Sequence, residues 1–148
     1  MIALGCDHGG FALKQVIVKH LEELGIAYKD FGCYDTASVH YPIYAKKVAE
    51  AVQSGECDRG ILVCSTGIGI SIAANRHPGV RAALCTDTFC AKMTRLHNDA
   101  NVLCLGGLVV GNGLALEIVD TFLNTAFSSE ERHQNRIDMI ELETDLDI

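Results

Sequence analysis

Basic residues are scarce in this chain: 12 Lys and Arg stand against 19 Asp and Glu, for a formal net charge of −7. Neutralising the phosphates along a nucleic acid takes clustered Lys and Arg, so no duplex-binding surface is expected, although a few converging basic groups can still hold a small anion. Long apolar runs are missing too. The longest are of strand length, far short of the ~20 residues that cross a bilayer, and neither a membrane nor a secretory route is expected. The seven cysteines contain no C-x-x-C pair and are odd in number, which points away from a disulfide scaffold and toward free thiols in a reducing cytoplasm.

What is present is enough apolar material for one domain: 49% of 148 residues are hydrophobic, and residues 1–148 read as a single unit. Strand-like and helix-like patterns alternate. Residues 2–6 form an apolar run, after which Leu13, Val16, Ile17, Leu21 and Leu24 share a helix face closed by Gly25. Residues 28–31 read as a weaker strand, and Pro42 opens a helix with Ala45, Val48, Ala49 and Val52 inward and Gly55 at its end. Residues 61–64, 81–85 and 102–105 suit buried parallel strands, with helices over 70–75, 88–96 and 114–123. This predicts an α/β fold, a three-layer α/β/α Rossmann-like domain on a five-stranded parallel sheet in the flavodoxin-like order 2-1-3-4-5, with right-handed crossovers. A last helix over 131–142 is charged on most faces and is expected to pack on a partner subunit instead of its own core.

In such a sheet ligands bind at the carboxyl ends of strands one and three, where successive connections leave in opposite directions. Cys6-Asp7-His8-Gly9-Gly10 and Cys64-Ser65-Thr66-Gly67-Ile68-Gly69 lie there. The second loop runs into a helix, so its N–H groups can face one anion. It lacks the Gly-Lys-Ser/Thr of a nucleotide loop and the third glycine of a dinucleotide fingerprint, and Ile70 stands where a Cys-x5-Arg phosphatase loop has arginine. Its glycines build either an oxyanion hole or only a tight turn. Beside such donors a Cys64 thiolate is favoured and can take a proton from an acidic carbon, with the hole stabilising an enediolate. The plainer reading of a cysteine is a small buried hydrophobe, which is the one given to Cys6, Cys85 and Cys104. A metal site built from these four cysteines and His8 is disfavoured by the absence of closely spaced ligand pairs.

Asp7 and His8 face the crevice opposite Cys64, where a carboxylate suits a sugar hydroxyl and an imidazole a phosphate, though Asp is also common at helix entry. The segment His97-Asn98-Asp99-Ala100-Asn101 is expected on the same carboxyl side. There His97 could move protons during sugar-ring opening, or the segment could simply end a helix. Arg132 and Arg136 lie one turn apart, suited to a phosphate dianion or to pairing with Glu130 and Glu131.

Together, Gly5-Cys6-Asp7-His8-Gly9-Gly10, Tyr41-Pro42, the run CSTGIGISIAAN over 64–75, His97-Asn98-Asp99-Ala100-Asn101 and Arg132-His133-Gln134-Asn135-Arg136 resemble the ribose-5-phosphate isomerase B family, which includes allose- and galactose-6-phosphate isomerases. The resemblance covers nearly the whole chain. It implies an aldose–ketose isomerase that interconverts ribose 5-phosphate and ribulose 5-phosphate through an enediolate, with no cofactor or metal. It also implies a homodimer or dimer of dimers with the site at the interface and the His97 segment supplied across it. By the same resemblance Cys64 is the base at C2, Thr66 moves a proton between O1 and O2, and His97 opens the furanose ring. Gly67, Ile68, Gly69 and Ser71 form the anion hole, Ser65 and Tyr41 line the substrate, Asn98 and Asp7 hold sugar hydroxyls, and His8, Arg132 and Arg136 hold the phosphate.

Two positions depart from the family pattern. Leu108 stands where Arg is common, removing a charge-assisted contact worth about 1.5–3 kcal/mol, and His40 stands where Asp is frequent. Both leave a hexose 6-phosphate open as substrate in place of a pentose phosphate. A non-catalytic phosphate-binding module and one subunit of a hetero-oligomeric hexose-phosphate isomerase are the other readings.

Overall fold

A computed structural model describes residues 1–141. The order along the chain is β1 (Ile2–Cys6), α1 (Phe11–Glu23), β2 (Tyr28–Asp30), α2 (Tyr41–Gln53), β3 (Arg59–Cys64), α3 (Ile68–Ala74), β4 (Ala82–Leu84), α4 (Thr88–Asn98), β5 (Val102–Gly106), α5 (Asn112–Asn124) and α6 (Glu131–Glu141). The five strands are all parallel and form a three-layer α/β/α domain, as the alternating pattern predicts. No described helix is long and apolar enough to cross a membrane.

The strand order is β2-β1-β3-β5-β4, which corrects the expected 2-1-3-4-5 at one edge. All five residues of β5 are buried, whereas β4 is three residues of half-buried or exposed side chains. The strand that can be covered on every side takes the interior, and the short one takes the edge. The switch point between β1 and β3 is unaffected. Side chains alternate across the sheet with the strand period of two. Ile61, Val63, Leu103 and Leu105 join Leu4, Ile17 and Phe122 on one face, while Leu62, Cys64, Val102 and Cys104 join Val48 and Ile70 on the other.

Glycine lets the β1 turn lie directly on β3: a Cβ at Gly10 would sit 2.2 Å from the Val63 carbonyl oxygen. Next to that turn is a fully buried lysine. Lys14 shares the inward face of α1 with Ile17 and Leu21, and its ammonium donates to Asp30 Oδ1 at 2.7 Å and to the Cys33 carbonyl at 2.5 Å. Removing one partner of a buried pair leaves the other uncompensated, at a cost of about 3–5 kcal/mol. Asp30 keeps some access to water, so Lys14→Met is expected at the lower end of that range, destabilising by about 3 kcal/mol. Urea unfolding measures it. Lys14→Met with Asp30→Asn should recover part of the loss, and a loss below about 1 kcal/mol would show that the ammonium is dispensable.

The final helix departs from expectation. Its buried residues, His133 and Ile137, pack against α4 of the same chain, and Arg81 pairs with Glu141, so α6 has a place on its own domain. Met139 and Ile140 stay exposed. Leu142, placed in this helix by the sequence pattern, lies outside the described residues.

Candidate active site

The carboxyl ends of β1, β3 and β5 meet as three touching loops. A Cβ on Gly9 would fall 2.0 Å from Ser65 Oγ and one on Gly107 2.7 Å from the Gly9 carbonyl, while Gly107 N–H and Leu108 N–H donate to the Cys64 and Ser65 carbonyls at 2.8 and 3.0 Å. Tyr41, at the start of α2, lays its ring on the segment that follows β3: a Cβ at Gly69 would meet it at 2.7 Å. Asp7, His8, Tyr41 and the segment from Cys64 to Ser71 are thus brought together at the switch point.

Cys64 is 4% exposed, and its Sγ receives the Gly67 N–H at 3.1 Å. Gly67 has φ +78, and a Cβ there would meet Leu84 Cδ1 at 2.6 Å, so only glycine gives the turn that aims this N–H at the sulfur. Thr66 is exposed, and its Oγ1 accepts the Ile68 N–H at 3.2 Å, which leaves the hydroxyl proton free to be donated. Gly69 and Ile70 carry N–H groups with no acceptor among the described residues. Ser71 does not join them. Its N–H is bonded to the Gly67 carbonyl at 3.2 Å and its hydroxyl to the Ile68 carbonyl at 2.7 Å, so the expected anion hole narrows to the groups before it.

Asp7 is buried, and its Oδ1 accepts the Gly9 and Gly10 N–H groups at 2.9 and 3.2 Å, so one oxygen fixes the turn and Oδ2 is left for other partners. His8 is exposed, and its Nδ1 accepts the Val39 N–H at 3.1 Å. The ring proton therefore sits on Nε2, where it can be donated to an anion.

The other cysteines differ from Cys64. Burial pushes the thiols of Cys6 and Cys85 up to about 12, with the Lys14 charge opposing the rise at Cys6, and it raises Cys104 as well. They are protonated near neutral pH, as suits core residues. Among the described residues no group of three His, Cys, Asp or Glu side chains is placed to hold a metal, so the alternative built from the cysteines and His8 has no geometry behind it.

His97, Asn98, Arg132 and Arg136 also come together, but elsewhere. They line a pocket of about 290 Å3 with His133, Ile137 and Ile140. The expectation that His97 lies on the carboxyl side of the sheet is corrected. A helix between parallel strands runs back toward their amino ends, and Asn101, just after α4, accepts the Gly60 N–H at 2.9 Å near the start of β3. From Gly60 to Cys64 at ~3.3 Å per residue is roughly 13 Å, so the two clusters are separated by about the length of the sheet.

Within the His97 segment only two side chains face this pocket. Asp99 closes α4 at φ 44 and pairs with the buried Arg95 at 2.8 Å, while Asn101 clamps the Arg81 N–H and the Gly79 carbonyl at 2.8 Å each. Arg132 donates to Glu130 at 2.8 Å, and Arg136 has no ion pair among the described residues. His133 stands in the sequence motif with Arg132 and Arg136 but receives no role from it. It is 4% exposed and stacks on His97 with ring centroids 4.4 Å apart, a contact between helices that no local spacing signals.

Comparison with known proteins agrees with this architecture. The model of the family described as Ribose/Galactose Isomerase matches residues 2–140. The chain is 50% identical over 139 residues to ribose-5-phosphate isomerase B of Escherichia coli (strain K12), covering 94% of this chain and 93% of that protein. Two solved structures superpose closely. Ribose-5-phosphate isomerase B of Clostridium thermocellum is 54% identical with a TM-score of 0.93 over 95% of this chain and 94% of that one, and the Thermotoga maritima enzyme is 49% identical with a TM-score of 0.93 over 95% and 96%.

Proposed function

The chain belongs to the ribose/galactose isomerase family, and from that premise we propose that it is a sugar-phosphate isomerase interconverting ribose 5-phosphate and ribulose 5-phosphate. The observation that carries the mechanism is the Cys64 sulfur, nearly buried at the end of β3, held by the Gly67 N–H and followed by the unbonded N–H groups of Gly69 and Ile70. Cys64 Sγ takes the proton from C2 of the open-chain aldose. The C2–H electron pair becomes the C1=C2 double bond and the carbonyl pair shifts onto O1, giving an enediolate whose negative oxygen faces those N–H groups. The Thr66 hydroxyl, anchored by Ile68 N–H, passes a proton between O2 and O1, and C1 is protonated to give the ketose.

The remaining groups come from a second copy of this chain. His97 opens the furanose ring, Asn98 holds a sugar hydroxyl, and Arg132 and Arg136 join His8 Nε2–H on the phosphate. This division is favoured by the separation of the two clusters within one chain. It is also favoured by the exposed apolar side chains of Ile68, Ile72, Leu84 and Leu108 around the Cys64 loop, a surface suited to burial against another subunit. The site is then built twice per two-fold dimer.

The test is ketose formation by the purified protein alone from ribose 5-phosphate, with allose 6-phosphate and galactose 6-phosphate in parallel. Ribose 5-phosphate is expected to give the highest kcat/KM. A hexose preference would keep the chemistry and reassign the substrate to a pocket altered at Leu108 and His40. No turnover on any of the three would overturn the reading.

A further inference from the structure

We propose that His133 is a positioning residue for His97, holding the His97 imidazole in its working orientation by ring stacking from α6. His97 is exposed and makes no hydrogen bond among the described residues, so the stack at 4.4 Å, tilted by 37°, is the contact that orients its ring. A solvent-facing imidazole held by nothing else would sample several rotamers, and a proton-transfer group needs one.

His133 is itself well fixed. Glu130 N–H donates to Ser128 Oγ at 3.2 Å, and the same hydroxyl is hydrogen-bonded to His133 Nδ1 at 2.7 Å. The bond anchors the neutral ring in either tautomer, the hydroxyl donating to a bare Nδ1 or accepting from Nδ1–H. Burial, followed by the charges of His97, Arg132 and Arg136, lowers the His133 pKa against the opposing pull of Glu130. His133 therefore stays neutral while His97 gains and loses a proton, and the stack survives the catalytic cycle without placing two cations face to face.

The inference rests on the reading in which His97 opens the sugar ring, and the experiment separates the two. Steady-state kinetics on ribose 5-phosphate would be measured for His133→Ala, His133→Phe, His97→Ala, the double variant and Asp138→Ala. His133→Ala is expected to lower kcat by about ten- to a hundred-fold with KM little changed, since a misoriented group costs rate and not phosphate binding. His133→Phe, which keeps a flat ring, should recover most of it. In the His97→Ala background the His133→Ala change should add no further loss. Asp138→Ala removes the Gln134–Asp138 bond (2.7 Å) on the same helix, lies outside the pocket and does not touch the stack, and should leave kcat near wild type.

An equal loss from His133→Ala with and without His97, a rise in KM alone, or a matching loss in Asp138→Ala would overturn the proposal in favour of a structural role for α6. If His97→Ala itself keeps full kcat, the assignment of His97 fails and the positioning role fails with it. Should His133→Ala not fold, His133→Leu, which fills the space without a ring face, is read in its place.

Discussion

Cys64→Ala is expected to lose roughly 100- to 10,000-fold in kcat, the contribution of a positioned general base, while its folding and phosphate binding persist. The residue ends a strand buried at every position after its first, and an alanine methyl fits in place of the thiol. The change removes one small side-chain atom and frees one N–H, that of Gly67, so the expected stability loss is only on the order of 1 kcal/mol. What is lost chemically is the sole sulfur that faces both a backbone donor and the crevice. Cys85→Ala serves as the matched control: its thiol, raised to about 12 by burial, is protonated at neutral pH and should leave turnover nearly unchanged. Exchange of the C2 hydrogen with solvent, followed by NMR in deuterium oxide, reports the proton transfer directly. Cys64→Ala that exchanges C2 hydrogen within tenfold of wild type would move the base to another group.

Much of this arrangement was legible in the residues themselves. The apolar run at 2–6 is β1 to the residue, Pro42 lies in the first turn of α2, and Gly25 and Gly55 take positive φ at the ends of α1 and α2. These are local signals of period, proline and glycine, and local physics decides them. The order of β4 and β5 is a different kind of fact. Both segments are apolar, and which one lies inside depends on how many neighbours can cover each, a property of the assembled sheet. The same holds for the motif residues. Asp99 and Asn101 read as part of a chemical signature, yet their side chains bind Arg95, Arg81 and a glycine carbonyl, partners up to 22 residues away in sequence. Asn75 at the end of the glycine-loop motif likewise clamps both backbone groups of Ala82. Lys14 was available to inspection, three residues before Ile17 on the inward face, but its partners Asp30 and Cys33 lie in another segment.

The misplacement of His97 has the largest functional consequence, because it decides whether one chain can hold a complete site. A helix that returns between parallel strands must end near their amino edge, and α4 does so at Asn98, with the following Asn101 bonded near the start of β3. Cys64 ends the same strand, roughly 13 Å further on by strand rise alone. No side chain spans that interval to act on a sugar held at the Cys64 loop, so the proposed function has His97 supplied by another copy. Mixing Cys64→Ala with His97→Ala protein, unfolded together and refolded, is therefore expected to restore activity that neither variant has alone. In a two-fold dimer the mixed species carries one site with both defects and one with neither, and random assortment predicts about a quarter of wild-type activity. The wild-type chain refolded by the same protocol sets the scale. A mixture as inactive as its components would mean that each site takes Cys64 and His97 from the same chain. That would require the two ends of the sheet to be bridged by a substrate pose or a rearrangement of α4, and the interface reading would fall.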